Sequence, residues 1–378
     1  MENKIKEYIK ENAEELYKIL HELCIIPAPS HHEEKRAEYC KAWFERNGIT
    51  GAYIDEALNV ILPYQADGSD NLSVFAAHTD TVFPDTEPLP YTDDGELIKC
   101  PGVGDDTASI AVLMLTAKYF FENEIKTNGV LFVCNSCEEG LGNLKGTRYL
   151  FKSFNGRIKK FITFDETSFN CSTNACVGSH RYEVEVLTEG GHSWSDFGKE
   201  NAIAEISKII NAVYSIRVPQ KKGKKVSFNV GSISGGTSVN TIAQKAAILC
   251  EYRSDDVSLL AFMKSEFERI FKEARTDGVK VNVTLLGERP CTDGVDTKKI
   301  EELMKIAENV VFDVTGEGLV FHSASTDCNI PMSLGIPAIA IGVYKGKGTH
   351  TREECLEKAS LPIGLEIGIK AALKYSEE

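Results

Sequence analysis

Over the first twenty residues, MENKIKEYIKENAEELYKIL, apolar side chains recur at helical spacing between charged ones, which predicts an amphipathic helix to about Leu20. Pro27-Ala28-Pro29 breaks it, and Ser30 with Glu33 three residues on reads as a capping box opening a helix over 32–47. Short apolar runs then alternate with helical ones. Strands are expected over 71–77, 130–135 and 160–164, and helices over 108–121 and 143–151, the first of these apolar on most sides. Such alternation predicts a largely parallel sheet covered by helices. After Val177 the rhythm changes: 181–187 alternates polar and apolar, as a strand with one wet face does. A helix (201–213), strands (227–233 and 246–253), a helix (257–274) and a strand (279–286) follow, the β-α-β-β-α-β order of a ferredoxin-like unit. The basic stretch Gln220-Lys221-Lys222-Gly223-Lys224-Lys225 reads as a solvated hairpin tip. Beyond Gly287 the first style resumes, with strands near Val320 and over 338–343. The expected class is therefore α/β: an α/β/α sandwich domain built from 1–177 and 287–378, interrupted by a ferredoxin-like α+β domain over 178–286.

Composition agrees with two globular domains. The chain has 378 residues, 42% hydrophobic and 26% charged, more than one core usually serves. A formal charge of −14 disfavours nucleic acid and anionic membrane surfaces as partners. The charged N-terminus lacks the apolar run of a signal peptide, and no segment approaches the roughly eighteen apolar residues that cross a membrane. The 11 cysteines are odd in number and sit in apolar stretches such as Ala247-Ile248-Leu249-Cys250, which suits buried thiols in a reducing compartment. A cytoplasmic protein is expected. Cys134 and Cys137 spell C-x-x-C, and Cys171 and Cys176 form a second pair, but their strand context and spacing disfavour structural zinc or a redox couple.

Acids and histidines recur where the predicted strands end, the edge at which open α/β sheets bind ligands. Strand 71–77 runs into His78-Thr79-Asp80; residues i and i+2 share a face, so Asp80 can accept the spare ring N–H of a metal-bound His78. Gly102-Val103-Gly104-Asp105-Asp106 enters a helix. Its two acids can complement the helix dipole, or one can bridge two cations. They would repel phosphate, and the loop lacks the P-loop ending. Strand 130–135 leads to Glu138-Glu139, a costly pair if buried unpaired but reasonable as a general base beside a metal ligand. Asp165-Glu166 follows strand 160–164, and Gly348-Thr349-His350 follows strand 338–343.

These segments resemble the M20 zinc peptidases, in wording closest to the peptidase T-like members. The resemblance is carried by AHTDTVFP (77–84), GVGDD (102–106), CEEGLG (137–142), FDE (164–166), GGHS (190–193), GGTSVNTIA (235–243), STDCNIPMSLGIPAIAIG (325–342) and GTH (348–350), in family order over most of the chain. It implies two divalent cations, zinc first and cobalt or manganese as substitutes. His78, Asp105 and Asp165 would hold one, and Asp105, Glu139 and His350 the other. It further implies Asp80 orienting His78, Glu138 as general base, and a cis peptide after Asp105. The inserted unit matches the family's lid domain, through which some members form homodimers. There His192 would stabilise the oxyanion, and Asn240 with Arg253 would grip the substrate carboxylate. Thr107 stands where many relatives have lysine, Ser109 near a usual glycine, and Trp194 where a smaller residue is common. The implied activity is metal-dependent hydrolysis of an amide bond in di- or tripeptides; the alternatives are deacylation of an N-acyl amino acid at the same site, or a catalytically inactive binding protein. His21, His31, His32, His180 and His322 are expected at the surface or in packing roles.

Overall fold

A computed structural model describes residues 2–377. The chain divides into two compact units, one from residues up to Cys176 together with those from Asp293 onward, the other Val177–Thr292. In chain order the helices are α1 (Glu2–Cys24), α2 (Glu34–Arg46), α3 (Ser109–Glu122), α4 (Lys145–Ser153), α5 (Ala202–Tyr214), α6 (Val257–Glu273), α7 (Thr297–Thr315), α8 (Asn329–Ser333) and α9 (Ser360–Ser376). The principal strands before the insert are β1 (Tyr53–Ile54), β2 (Val60–Tyr64), β3 (Leu72–His78), β4 (Val130–Asn135), β5 (Ile158–Thr163) and β6 (Cys171–Cys176). The insert adds β7 (Gly178–Leu187), β8 (Val226–Gly235), β9 (Lys245–Ser254) and β10 (Lys280–Arg289), and the return segment β11 (Val320–Ala324) and β12 (Ala338–Ile341).

In the first unit the strands lie in the order β1-β2-β4-β3-β5-β12-β6-β11. The central four, β4, β3, β5 and β12, run parallel. Every residue of β3 and β4 is buried, the unbroken apolar run expected of strands covered on both faces. Their alternation divides the core: Phe75 and Ala77 join α1, α3 and α9 on one side, while Val74 and Ala76 join Leu150 of α4 and Ile330 of α8 on the other. This is an α/β/α sandwich. Because the central strands are parallel, His78, Asn135, Thr163 and Ile341 end them at one sheet edge.

The second unit has strand order β8-β9-β7-β10, antiparallel throughout. Tyr182, Val184 and Val186 of β7 face Ile206, Ile209 and Val213 of α5 and Met263, Phe267 and Ile270 of α6. Asn201 and Asp256 cap these helices through their side chains. The topology is ferredoxin-like. β10 runs three residues past the expected end of the insert, to Arg289, and the unit closes at Thr292.

Two local expectations are corrected. Ser30 and Glu33 make no capping box: α2 starts at Glu34 without a side-chain cap bond. The lysine-rich stretch connects α5 to β8 and is no hairpin tip; Lys221 pairs with Asp256 and Lys224 with Asp255. Among the described residues no helix is long and apolar enough to cross a membrane.

Candidate active site

Five chain segments meet where the parallel strands end. β3 delivers His78, 1% exposed, whose ring Nε2 lies 2.9 Å from Asp105 Oδ1. The other Asp105 oxygen, Oδ2, lies 3.1 Å from His350 Nε2, which also lies 3.0 Å from Glu139 Oε1. One carboxylate thus spans two imidazoles. Its segment, Val103–Ala108, is an irregular helical turn in which Asp105 and Asp106 leave helical angles and are joined by a cis peptide, as the resemblance implies. Donor atoms of His78, Asp105 and Asp165 lie within 4.8 Å of one another, as do those of Asp105, Glu139 and His350, and of His78, Glu138 and Glu139.

Asp80 is wholly buried and does more than the i, i+2 spacing suggests. His78 Nδ1 is nearer to its main-chain oxygen (3.0 Å) than to its carboxylate (3.4 Å). The carboxylate instead accepts the amides of Glu138 and Glu139, each at 2.9 Å, and the Ser30 hydroxyl at 2.6 Å. Glu33, also buried, accepts the Cys137 amide at 3.0 Å. Ser30 and Glu33 therefore brace the Glu138-Glu139 turn. Asp106 accepts the His78 amide at 2.9 Å. Glu354, 2% exposed, accepts the amides of Gly102, Gly104 and Asp105. Sequence reasoning missed these supports. The only signals were a serine and an acid after a proline break and an acid four residues past His350.

The electrostatics are those of crowded negative donors. Burial raises the Asp105 carboxyl, but hydrogen bonds from His350 and His78 outweigh it and hold the group below its ordinary range. Burial, then the Asp105 charge, pushes Glu139 up to about 7. Burial lifts Asp165 well above normal, with Asp106 and Asp105 adding to it against partial relief from His78. Hydrogen bonds to Asp105 and Glu139 raise His350 to about 10. Burial opposes charge on His78, yet its bonds to Asp105 and Asp80 raise it well above its usual value. Protons on the imidazoles offset negative charge that divalent cations would offset better, and mixed carboxylate and imidazole donors suit such cations. The residues fit the group.

The other expected site residues lie in the second unit. His192 is exposed on the short strand Gly191–His192, which pairs with Thr241–Ile242. The Trp194 main-chain N–H donates to His192 Nδ1 at 3.3 Å, which leaves Nε2 as the ring nitrogen open to a ligand. Asn240 adjoins it, accepting the Ser193 amide through its main-chain oxygen. Arg253, on β9, is held by Glu251 at 2.9 and 3.1 Å. His180 is buried against Tyr252, and His322 lies 3.3 Å from Glu166.

Residues 74–374 match the sequence profile of peptidase family M20/M25/M40. The chain belongs to this family. That membership makes it a hydrolase acting on amide bonds. The Bacillus subtilis protein YqjE is 23% identical to this M20 chain over 359 residues, covering 88% of it and 91% of YqjE. A tripeptidase of Staphylococcus aureus superposes with a TM-score of 0.76 at 20% identity, covering 97% of this chain and 99% of that one. The Bacillus subtilis YXEP protein, described as a dinuclear metal binding peptidase of the M20 family, has a TM-score of 0.66 at 15% identity, covering 97% and 99%. These likenesses carry the fold.

Proposed function

We propose that this M20 chain hydrolyses the amide bond of di- and tripeptides with two divalent cations, zinc in the simplest case. The observation that supports this most is the Asp105 carboxylate with one oxygen on His78 and the other on His350. The tripeptidase and the dinuclear peptidase it resembles suggest the substrate class and the cation number.

His78, Asp105 and Asp165 would hold one cation, and Asp105, Glu139 and His350 the other. When bound, the cations supply Lewis acidity and acidify a water. Asp80 keeps Glu138 and Glu139 in register by holding their amides. Glu138 takes the proton of the attacking water and returns it to the leaving nitrogen. His192 donates its Nε2–H to the developing oxyanion. Asn240 and Arg253 bind the substrate carboxylate, which must share the Arg253 guanidinium with Glu251. In this reading the second unit is the lid and the surface through which a homodimer forms. Eleven free cysteines suit a reducing, cytoplasmic setting.

The test is a screen of unblocked di- and tripeptides against N-acetyl and N-succinyl amino acids, with zinc, cobalt or manganese added. Cleavage of free peptides is expected. Turnover of only the N-acyl compounds would make the chain a deacylase, and no turnover with any cation would overturn the proposal.

A further inference from the structure

The Asp105 loop is clamped from one side by an acid outside the cation-binding groups. Glu354 Oε2 accepts the Gly102 amide at 2.7 Å, and Oε1 accepts those of Gly104 and Asp105, each at 2.9 Å. Clustered main-chain N–H groups in such a turn form an anion-binding concavity, and here the anion is the protein's own. The loop cannot easily yield elsewhere. A Cβ on Gly104 would lie 2.6 Å from the Tyr344 ring, and one on Gly102, at φ +75°, would lie 2.7 Å from Thr81 Cγ2. Thr107 Oγ1 donates to the Gly102 carbonyl at 2.6 Å and accepts from Arg36 at 3.2 Å. Glu354 is itself anchored: the Cys100 amide donates to its carbonyl at 3.3 Å, and the following strand, Cys355–Glu357, pairs with Leu97–Lys99. It stands four residues after His350, so one segment presents that imidazole and grips the loop carrying Asp105.

We propose that Glu354 is a positioning residue for Asp105: its carboxylate holds three loop amides so that the two Asp105 oxygens face His78 and His350. This rests on reading Asp105 as a cation ligand. Glutamine at 354 keeps the shape but has one acceptor oxygen, so at least one buried N–H meets an NH2 group or nothing. Loosened ligand supports typically weaken a metal site by about ten- to a hundredfold.

The test is zinc affinity by chelator competition in wild type, Glu354→Gln and His350→Ala, beside far-UV circular dichroism and dipeptide kinetics. Glu354→Gln is expected to bind the same number of ions when saturated, with about ten- to a hundredfold weaker affinity at one site or both. Its kcat should recover as zinc is raised, with KM unchanged. A merely structural role would lower melting temperature without moving the affinities, and unchanged affinities would overturn the inference. Amide exchange of cation-free wild type gives an independent reading should Glu354→Gln fail to fold. Gly102, Gly104 and Asp105 should be protected without zinc, and rapid exchange of these amides in the folded protein also overturns the clamp. If His350→Ala leaves wild-type zinc affinity unchanged, the cation reading fails, while protected amides would still show the clamp to exist.

Discussion

Asp80→Asn tests whether the floor of the site is built on a charge. The Asp80 carboxylate has no exposure and accepts the Glu138 amide on Oδ1 and the Glu139 amide with the Ser30 hydroxyl on Oδ2. Burial raises this group, but the nearby His78 ring, the Ser30 hydroxyl and the Glu139 amide bring it below its ordinary value, so the anion is the native form. Asparagine keeps the outline and turns one oxygen into a donor. Placed at Oδ1 the NH2 group opposes the Glu138 amide, and placed at Oδ2 it opposes that of Glu139. The Ser30 hydroxyl can rotate and accept, but a main-chain N–H cannot. One stranded donor at about 1–3 kcal/mol and one charge-assisted bond at about 1.5–3 kcal/mol predict a loss of roughly 2.5–6 kcal/mol. Ser30→Ala, which removes one hydroxyl shared between Asp80 (2.6 Å) and the Glu139 carbonyl (3.3 Å), should lose only about 1 kcal/mol. Urea denaturation of cation-free protein measures both. Because the same amides set Glu138 and Glu139, kcat should fall about a hundredfold, the scale of a 1 Å misplacement. Asp80→Asn with the stability of Ser30→Ala and wild-type kcat would refute this account of the floor.

Glu138→Gln should retain both cations and lose about a hundredfold or more in kcat, whereas Glu139→Gln should bind one cation weakly and regain activity in excess metal. Elemental analysis with kinetics decides it, and the opposite pattern would exchange the two roles. Without cations, stability should fall as pH rises. Glu139, raised from 4.5 to about 7, binds its proton more tightly in the folded chain, so its contribution is present below about pH 4.5 and gone above 7. His350, raised from 6.5 to about 10, contributes fully below pH 6.5 and loses that contribution as pH climbs to 10. Thermal melts of chelator-treated protein from pH 5 to pH 9 should decline, with zinc reversing the trend, and a flat or rising profile would contradict the crowding of acids at the site.

The alternation of apolar runs determined the main sheet and the ferredoxin-like order, because an extended chain buried on both faces must be apolar throughout and a half-wet strand must alternate. The same logic made His78, Glu138-Glu139 and Asp165 visible, since acids directly after a buried strand need a reason to be there. Partners distant in sequence were not legible. Ser30 and Glu33 have the spacing of a local cap, yet they bond to Asp80 and to Cys137, 50 and 104 residues away. Glu354 gave no sign that it would meet Gly102, 252 residues earlier. Arg253 reads as a free guanidinium until Glu251, two residues back on the same strand face, is seen to hold it. Local sequence decides backbone conformation and which face is apolar. Which polar group satisfies a buried amide is decided only when packing removes water and leaves one acceptor within reach.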